Sequence, residues 1–361
     1  MNVVSFFAGA GGLDKGFEEV GFNIVWANEK DKTIWDTYKY NHPNTLLETK
    51  SIVDVKLEDI PKIKIDGVIG GPPCQSWSLA GAMRGIDDER GALFYEYLRL
   101  LKEIEPKFFV VENVPGIVSS RHIKVFRHIK KMFENCGEIG YNVEFDILNS
   151  SEFGVCQERK RVFLVGYRKD LNKKFQFNEL EKFKVKKKVT LRECIGDLPE
   201  PVPAKDKNKT NGNILEINAH EYAIGGFSSI YMSRNRKKSW DQQSFTIQAS
   251  GRHAPLHPKS APMVKIEKDK WIFDKNTYYP YRRLSIRECA RIQSFSDNFK
   301  FIYNSVMDGY KMVGNAVPVK LAKVVASQVI KDFNEIKNNQ NLTDDYTNNK
   351  ITIFEPYRII I

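Results

Sequence analysis

The 361-residue chain carries 56 Lys+Arg against 45 Asp+Glu, a formal charge of +11, with 42% hydrophobic residues, 23 Gly and 15 Pro. At roughly 100–200 residues per domain it is expected to form two domains, or one large domain with an insertion, and its ordinary composition excludes wholesale disorder, collagen and coiled coil. No apolar run approaches the roughly 18 residues of a membrane span, and the N-terminus runs into a Gly-rich turn without a basic leader, so neither a membrane partner nor a signal peptide is expected. Cys74, Cys136, Cys156, Cys194 and Cys289 form no CxxC and no close pair. That pattern predicts a reducing, cytoplasmic setting with no disulfide framework and no metal site.

Short apolar runs at Val3–Phe7, Ile24–Ala27, Gly67–Ile69, Phe108–Val111, Val143–Leu148 and Val162–Val165 read as strands, most of them bounded by Gly, Pro, Asn or Asp. Between them, Leu93, Phe94, Tyr97, Leu98, Leu101 and Ile104 recur at spacings of three and four and predict a helix over 91–104. Strands alternating with helices predict an α/β domain with a mostly parallel sheet and helices on both faces. The pattern breaks near residue 170. A Lys-rich run (182–188), a Pro cluster (Pro199, Pro201, Pro203) and KDKNKTNGN follow, and helical spacing returns at Ser285–Gln293 and Pro318–Phe333. The expected division is 1–175 (catalytic), 176–283 (a smaller, loop-rich domain), 284–334 (a return to the first domain) and 335–361 (a polar linker with an apolar tail).

The charge has an address. Residues 161–280 hold 24 Lys+Arg and 13 Asp+Glu, so the whole excess lies in one third of the chain. This asymmetry points to a segment that meets a polyanion, with nucleic acid the best fit.

Four stretches carry chemistry. Phe7-Ala8-Gly9-Ala10-Gly11-Gly12 follows the first strand, and Asn28-Glu29 closes the next. Glycines at a strand end admit a ligand close to the backbone, and a carboxylate there can accept from ribose hydroxyls. Asp14 stands where a dinucleotide fingerprint wants its third Gly, so a nicotinamide dehydrogenase is disfavoured. Gly70-Gly71-Pro72-Pro73-Cys74 presents a cysteine past a strand end, where a parallel sheet places nucleophiles. Glu112-Asn113-Val114 closes the strand after the 91–104 helix, and a right-handed crossover puts Glu112 at the same sheet edge as Cys74. In Gln157-Glu158-Arg159-Lys160-Arg161, the two arginines lie two apart, which predicts that they share one strand face.

In this order the segments, with Arg287-Glu288-Cys289-Ala290-Arg291 and Gly314-Asn315-Ala316-Val317-Pro318, resemble the cytosine-5 DNA methyltransferase family over nearly all of residues 1–330. The basic segment, through Asn208–Asn213, Met232–Arg236 and Gln248–Arg252, is most similar to the GGCC-specific, HaeIII-type modification enzymes. The resemblance implies the Rossmann-like fold of S-adenosylmethionine-dependent methyltransferases, with a target-recognition domain.

It further implies that Cys74 attacks carbon 6 of a flipped-out cytosine in double-stranded DNA, and that Glu112 protonates or hydrogen-bonds ring nitrogen 3. Arg161 would hold the ring carbonyl and Arg159 the loop. Phe7 to Gly12, Asn28, Glu29, Ser51, Ile52, Pro73, Asn315 and Val317 would line the cofactor site. Ser76, Arg84, Arg234, Arg236, Thr246 and Arg252 would contact DNA, while Lys182, Lys184 and Lys186–Lys188 would meet phosphates or nothing. A monomer is expected, working in a restriction-modification pair with an endonuclease but without a stable complex. Two alternatives stay open at this point: a transfer-RNA cytosine methyltransferase and a catalytically silent DNA-binding module. The chain departs from the family pattern at Lys30, at Lys50-Ser51-Ile52, and at Gln293-Ser294-Phe295-Ser296, where a Gly-Phe-Pro turn is usual.

Overall fold

The computed structural model describes residues 1–73, 89–274, 276–278 and 280–351. The first part alternates as expected: β1 (Asn2–Phe6), α1 (Gly12–Glu18), β2 (Asn23–Asn28), α2 (Trp35–Asn41), β3 (Leu46–Glu48), β4 (Gly67–Gly70), α3 (Glu89–Ile104), β5 (Phe108–Asn113), α4 (Ile123–Glu134), β6 (Tyr141–Asn149) and β7 (Lys160–Arg168). These strands form one sheet in the order β3-β2-β1-β4-β5-β7-β6. β1 pairs in parallel with β2 and β4, and β4 with β5, while β7 runs antiparallel to both β5 and β6.

The chain moves outward from β1 to β3, then restarts at β4 on the other side. Strand order therefore reverses between β1 and β4, and their C-terminal ends flank the crevice where open α/β sheets bind ligands. Every residue of β5 is buried, which explains its unbroken apolar run up to Glu112. α3 delivers Phe94, Tyr97, Leu98 and Leu101 to the core on one sheet face, the stripe predicted from their spacing. On the other face, Leu321, Val325, Val329 and Phe333 of α8 (Val319–Ile351) pack against Leu13 and Phe17 of α1.

The later part is built from α5 (Leu191–Ile195), the paired strands β8 (Val202–Pro203) and β9 (Glu221–Tyr222), the hairpin β10 (Met263–Glu267) and β11 (Lys270–Phe273), α6 (Ile286–Ile292) and α7 (Val306–Asn315). Leu191, Ile195, Ile247, Leu284, Ile286, Phe295 and Val313 share one core here, and Tyr231, Leu256 and Met263 nucleate a satellite cluster.

Phe175 and Leu180 are buried in the core of the sheet, with Phe177 and Phe183 packed against it, so the first residues of the expected second domain pack with the first. The polar stretch expected as a linker from 335 continues α8 as helix to Ile351. It contains neither Gly nor Pro, so nothing in the backbone stops the helix once the buried turns have formed it. Among the described residues no helix is long and apolar enough to cross a membrane.

Candidate active site

The penultimate residue of β5 is Glu112, whose carboxylate lies 2.8 Å from Nε of Arg161, two residues into β7. The antiparallel pairing of β5 with β7 brings the two elements together, although 48 residues separate the pair in sequence. Glu112 is only 9% exposed. Burial raises its pKa above the ordinary glutamate value, while the charges of Arg161 and Arg159 pull it back down. A carboxyl in this balance can donate a proton or accept a hydrogen bond. Its second oxygen faces Gly71, in the loop that leads to Cys74.

Asn113 completes this edge. Its side-chain amide donates to the Pro72 carbonyl at 2.9 Å, and its carbonyl oxygen accepts from the Val114 backbone at 2.8 Å. Sequence reasoning quoted Asn113 in its motif but gave it no role. The available signal was a polar residue ending a strand buried along its whole length. Cys74, Ser76 and Arg84 lie outside the described residues.

Arg159 and Arg161 do not share a strand face, because β7 begins between them at Lys160. Arg159 is 2% exposed and donates to the carbonyls of Ile247 (2.8 Å), Gly314 (2.8 Å) and Ala316 (3.1 Å). Gln157 and Gln293, unassigned from sequence, extend this network. Gln157 donates to Gln293 at 2.6 Å and accepts from the Ile247 backbone, and Gln293 donates to the Val313 and Ala316 carbonyls.

Of the predicted cofactor residues, Phe7–Gly12 follow β1 and Glu29 directly follows β2, at the C-terminal ends of the two strands. Glu29 accepts from the backbone N–H of Gly9 at 3.0 Å and of Asp31 at 2.8 Å. Phe7 is half-buried against the core that contains Ile52. Gly9 has φ +56°, and the space where a side chain would stand is empty. Ser51 precedes a short turn at Ile52–Asp54, and Pro73 and Asn315 are exposed. Ala10 and Ala316 share one core, while Val317 joins the core of α1. An aromatic face, a strand-end carboxylate with free lone pairs and an open Gly-rich turn suit a nucleoside with a charged tail. Asn28 is placed differently: its amide donates to the carbonyls of Glu48 and Lys50, so it fastens the segment before Ser51.

On the basic side, Arg234 and Arg252 are exposed. The pKa of the nearby His253 is lowered by burial and by the charges of Arg236, Arg234, Arg252 and Arg283. Arg236 turns inward instead. It is 5% exposed and donates to the carbonyls of Tyr231 and Ile230, both at 2.9 Å, so here it braces the loop rather than facing solvent. Thr246 donates to the Glu158 carbonyl and lines a cavity of about 500 Å³ with Lys188, Lys238 and Gln243. Much of the Lys-rich run is already matched by protein groups. Lys182 bonds Gln328 and Glu179, Lys184 pairs with Glu152 and Glu181, and Lys187 with Glu193.

Residues 1–331 match the family model described as C-5 cytosine-specific DNA methylase. The chain belongs to that family. It is 56% identical over 338 residues to the type II methyltransferase M.MthTI of Methanothermobacter thermautotrophicus, covering 94% of this chain and 99% of the relative. It is 52% identical to the type II methyltransferase M.NgoPII of Neisseria gonorrhoeae, covering 92% and 96% of the two chains. The fold is also that of S. pombe Dnmt2 methyltransferase, at a TM-score of 0.63 and 17% identity, covering 92% of this chain and 99% of that one. The protein is thus a DNA (cytosine-5)-methyltransferase that uses S-adenosylmethionine as its methyl donor.

Proposed function

We propose that this methyltransferase modifies a cytosine within GGCC in double-stranded DNA, as the protecting half of a restriction-modification pair in the cytoplasm. The observation that carries the catalytic part is the Arg161–Glu112 pair, set at the sheet edge beside the loop that leads to Cys74. Carbon 5 of cytosine is a poor nucleophile. Addition of the Cys74 thiolate to carbon 6, with Glu112 bonding ring nitrogen 3, moves electron density onto carbon 5. Arg161, paired with Glu112, would also hold the ring carbonyl. None of this can occur in a stacked duplex, so the base leaves the helix.

S-adenosylmethionine supplies an electrophilic methyl group when bound. Phe7 would face its adenine, Glu29 its ribose, and the Asn315–Val317 turn its methionine end. Loss of the carbon-5 proton and expulsion of Cys74 restore the ring.

Arg234 and Arg252 are the proposed guanine readers. They are exposed and long, in the segment that holds the chain's excess of positive charge, and a bidentate arginine–guanine contact is worth about 1–3 kcal/mol of discrimination. Their resemblance to the HaeIII-type segment supports GGCC, and likeness to type II methyltransferases supports the pairing with an endonuclease. Bisulfite sequencing of plasmid from expressing cells tests the site: modified cytosines confined to GGCC are expected, and modification elsewhere overturns the assignment. Cys74→Ala should abolish methyl transfer and spare DNA binding; retained transfer overturns the mechanism.

A further inference from the structure

Arg159 joins three segments that are remote in sequence. It follows the short stretch 156–158, which runs alongside 244–247. The Ser244 backbone donates to the Cys156 carbonyl at 3.0 Å, the Ile247 backbone to the Gln157 side chain at 3.0 Å, and Thr246 to the Glu158 carbonyl. Arg159 then reaches across both, to Ile247 on the DNA-facing segment and to Gly314 and Ala316 in the turn that precedes α8. That turn presses on the same segment. A side chain at Gly314 would come within 2.3 Å of the Gln248 backbone, so only Gly permits the approach.

Among the described residues no carboxylate pairs directly with this buried cation. Its guanidinium is held by carbonyl dipoles, and its Nε has no partner. Burial and the adjacent Arg161 charge lower its pKa, and Glu112 opposes them. A buried arginine with such partners is stable only while both carbonyl-bearing segments stay in place.

We propose that Arg159 is a positioning residue that couples DNA engagement to cofactor binding, by holding segment 246–249 and turn 314–316 in one mutually dependent arrangement. A ligand that orders either segment lowers the cost of ordering the other, and the coupling is reciprocal. The inference rests on the proposed placement of the cofactor at the 314–317 turn. Gln157 and Gln293 serve the same seam: they bond each other, Gln157 also accepts from Ile247 and donates to the Ile292 carbonyl, and Gln293 donates to the carbonyls of Val313 and Ala316.

The test measures DNA affinity by fluorescence anisotropy, with and without saturating S-adenosylhomocysteine, on a duplex the enzyme methylates. Binding of the product alone is measured by calorimetry. The unmodified protein should bind DNA about tenfold more tightly with the product present. Arg159→Lys keeps the charge but loses the planar fork, and should bring that ratio to within about twofold of one. Gln293→Ala should reduce the ratio as well, and it serves as the readout if Arg159→Lys fails to fold by thermal melting. Hydrogen exchange should show the product protecting amides 244–254 in the unmodified protein but not in the variants. A ratio of one in the unmodified protein, or an unchanged ratio in the folded variants, overturns the coupling. Absence of product binding by the unmodified protein overturns the cofactor placement beneath it, a separate and distinguishable result.

Discussion

The amide of Asn113 holds the carbonyl of Pro72 at 2.9 Å and so fastens the strand that carries Glu112 to the loop that leads to Cys74. Asn113 is buried, and both ends of its side chain are bonded. Asn113→Ala removes that tie and leaves the Pro72 carbonyl without its donor, at a cost of about 1–3 kcal/mol in stability. The kinetic loss should be larger than misfolding explains, because a displacement of about 1 Å in a reacting group can cost 10²-fold. Single-turnover rates on protein shown by melting to be folded are the measurement. A variant with reduced stability but an unchanged single-turnover rate removes Asn113 from the positioning of the site.

Glu112 has a pH signature. Burial raises its pKa above the ordinary value, so its neutral, donating form persists to higher pH than in a free glutamate. If that form is needed, kcat/KM falls as pH rises through the raised pKa. Glu112→Gln cannot titrate, so it should lose about 10²–10⁴-fold in rate and also lose that alkaline limb. DNA affinity should change little. A variant that keeps the same limb assigns it to another group.

His257 links acid to stability. Burial pushes its pKa down to about 4 although Glu288 faces it, with Arg282, Glu200 and Lys259 the other charges nearby. Its Nδ1 already accepts from the Lys259 backbone, which fits a neutral ring. In the unfolded chain the group titrates near 6.5. Between those values the unfolded state binds more protons, so this contribution is full above pH 6.5 and is lost as pH falls toward 4. The loss is about 3 kcal/mol at most. Urea midpoints measured from pH 7.5 to 4 should fall more steeply for the unmodified protein than for His257→Asn; parallel slopes would refute the assignment.

Burial decided what could be read from sequence. β1, β4 and β5 were legible because strands covered on both faces are written almost entirely in apolar residues. β3, three residues at the sheet edge, left no such trace. The face argument for Arg159 and Arg161 assumed that a strand ran through both, but it begins between them. Arg236 was a reasonable guanine reader by composition, yet the carbonyls of Ile230 and Tyr231 bind it in this structure, and backbone acceptors are invisible in a sequence. The Lys-rich run looked free because Glu152 and Gln328, which bond it, come from elsewhere in the chain.

Ser294 stands where a glycine is usual in the resembled family, and its backbone shows what the change costs and gains. Its φ is +64°, in the left-handed region that disfavours a side chain by about 1–2 kcal/mol. Its hydroxyl offsets this by accepting from the Lys320 backbone at 3.0 Å, at the start of α8, while donating to the Gln293 carbonyl at 2.6 Å. Ser294→Ala keeps the strain and loses both bonds, so it should destabilise by about 1 kcal/mol or more. Ser294→Gly loses the bonds but relieves the strain, and should lie within about 0.5 kcal/mol of the unmodified protein. Chemical denaturation of the three proteins decides the matter. If the alanine variant is as stable as the glycine variant, the left-handed backbone at 294 stores no strain, and the serine is held there by its hydrogen bonds alone.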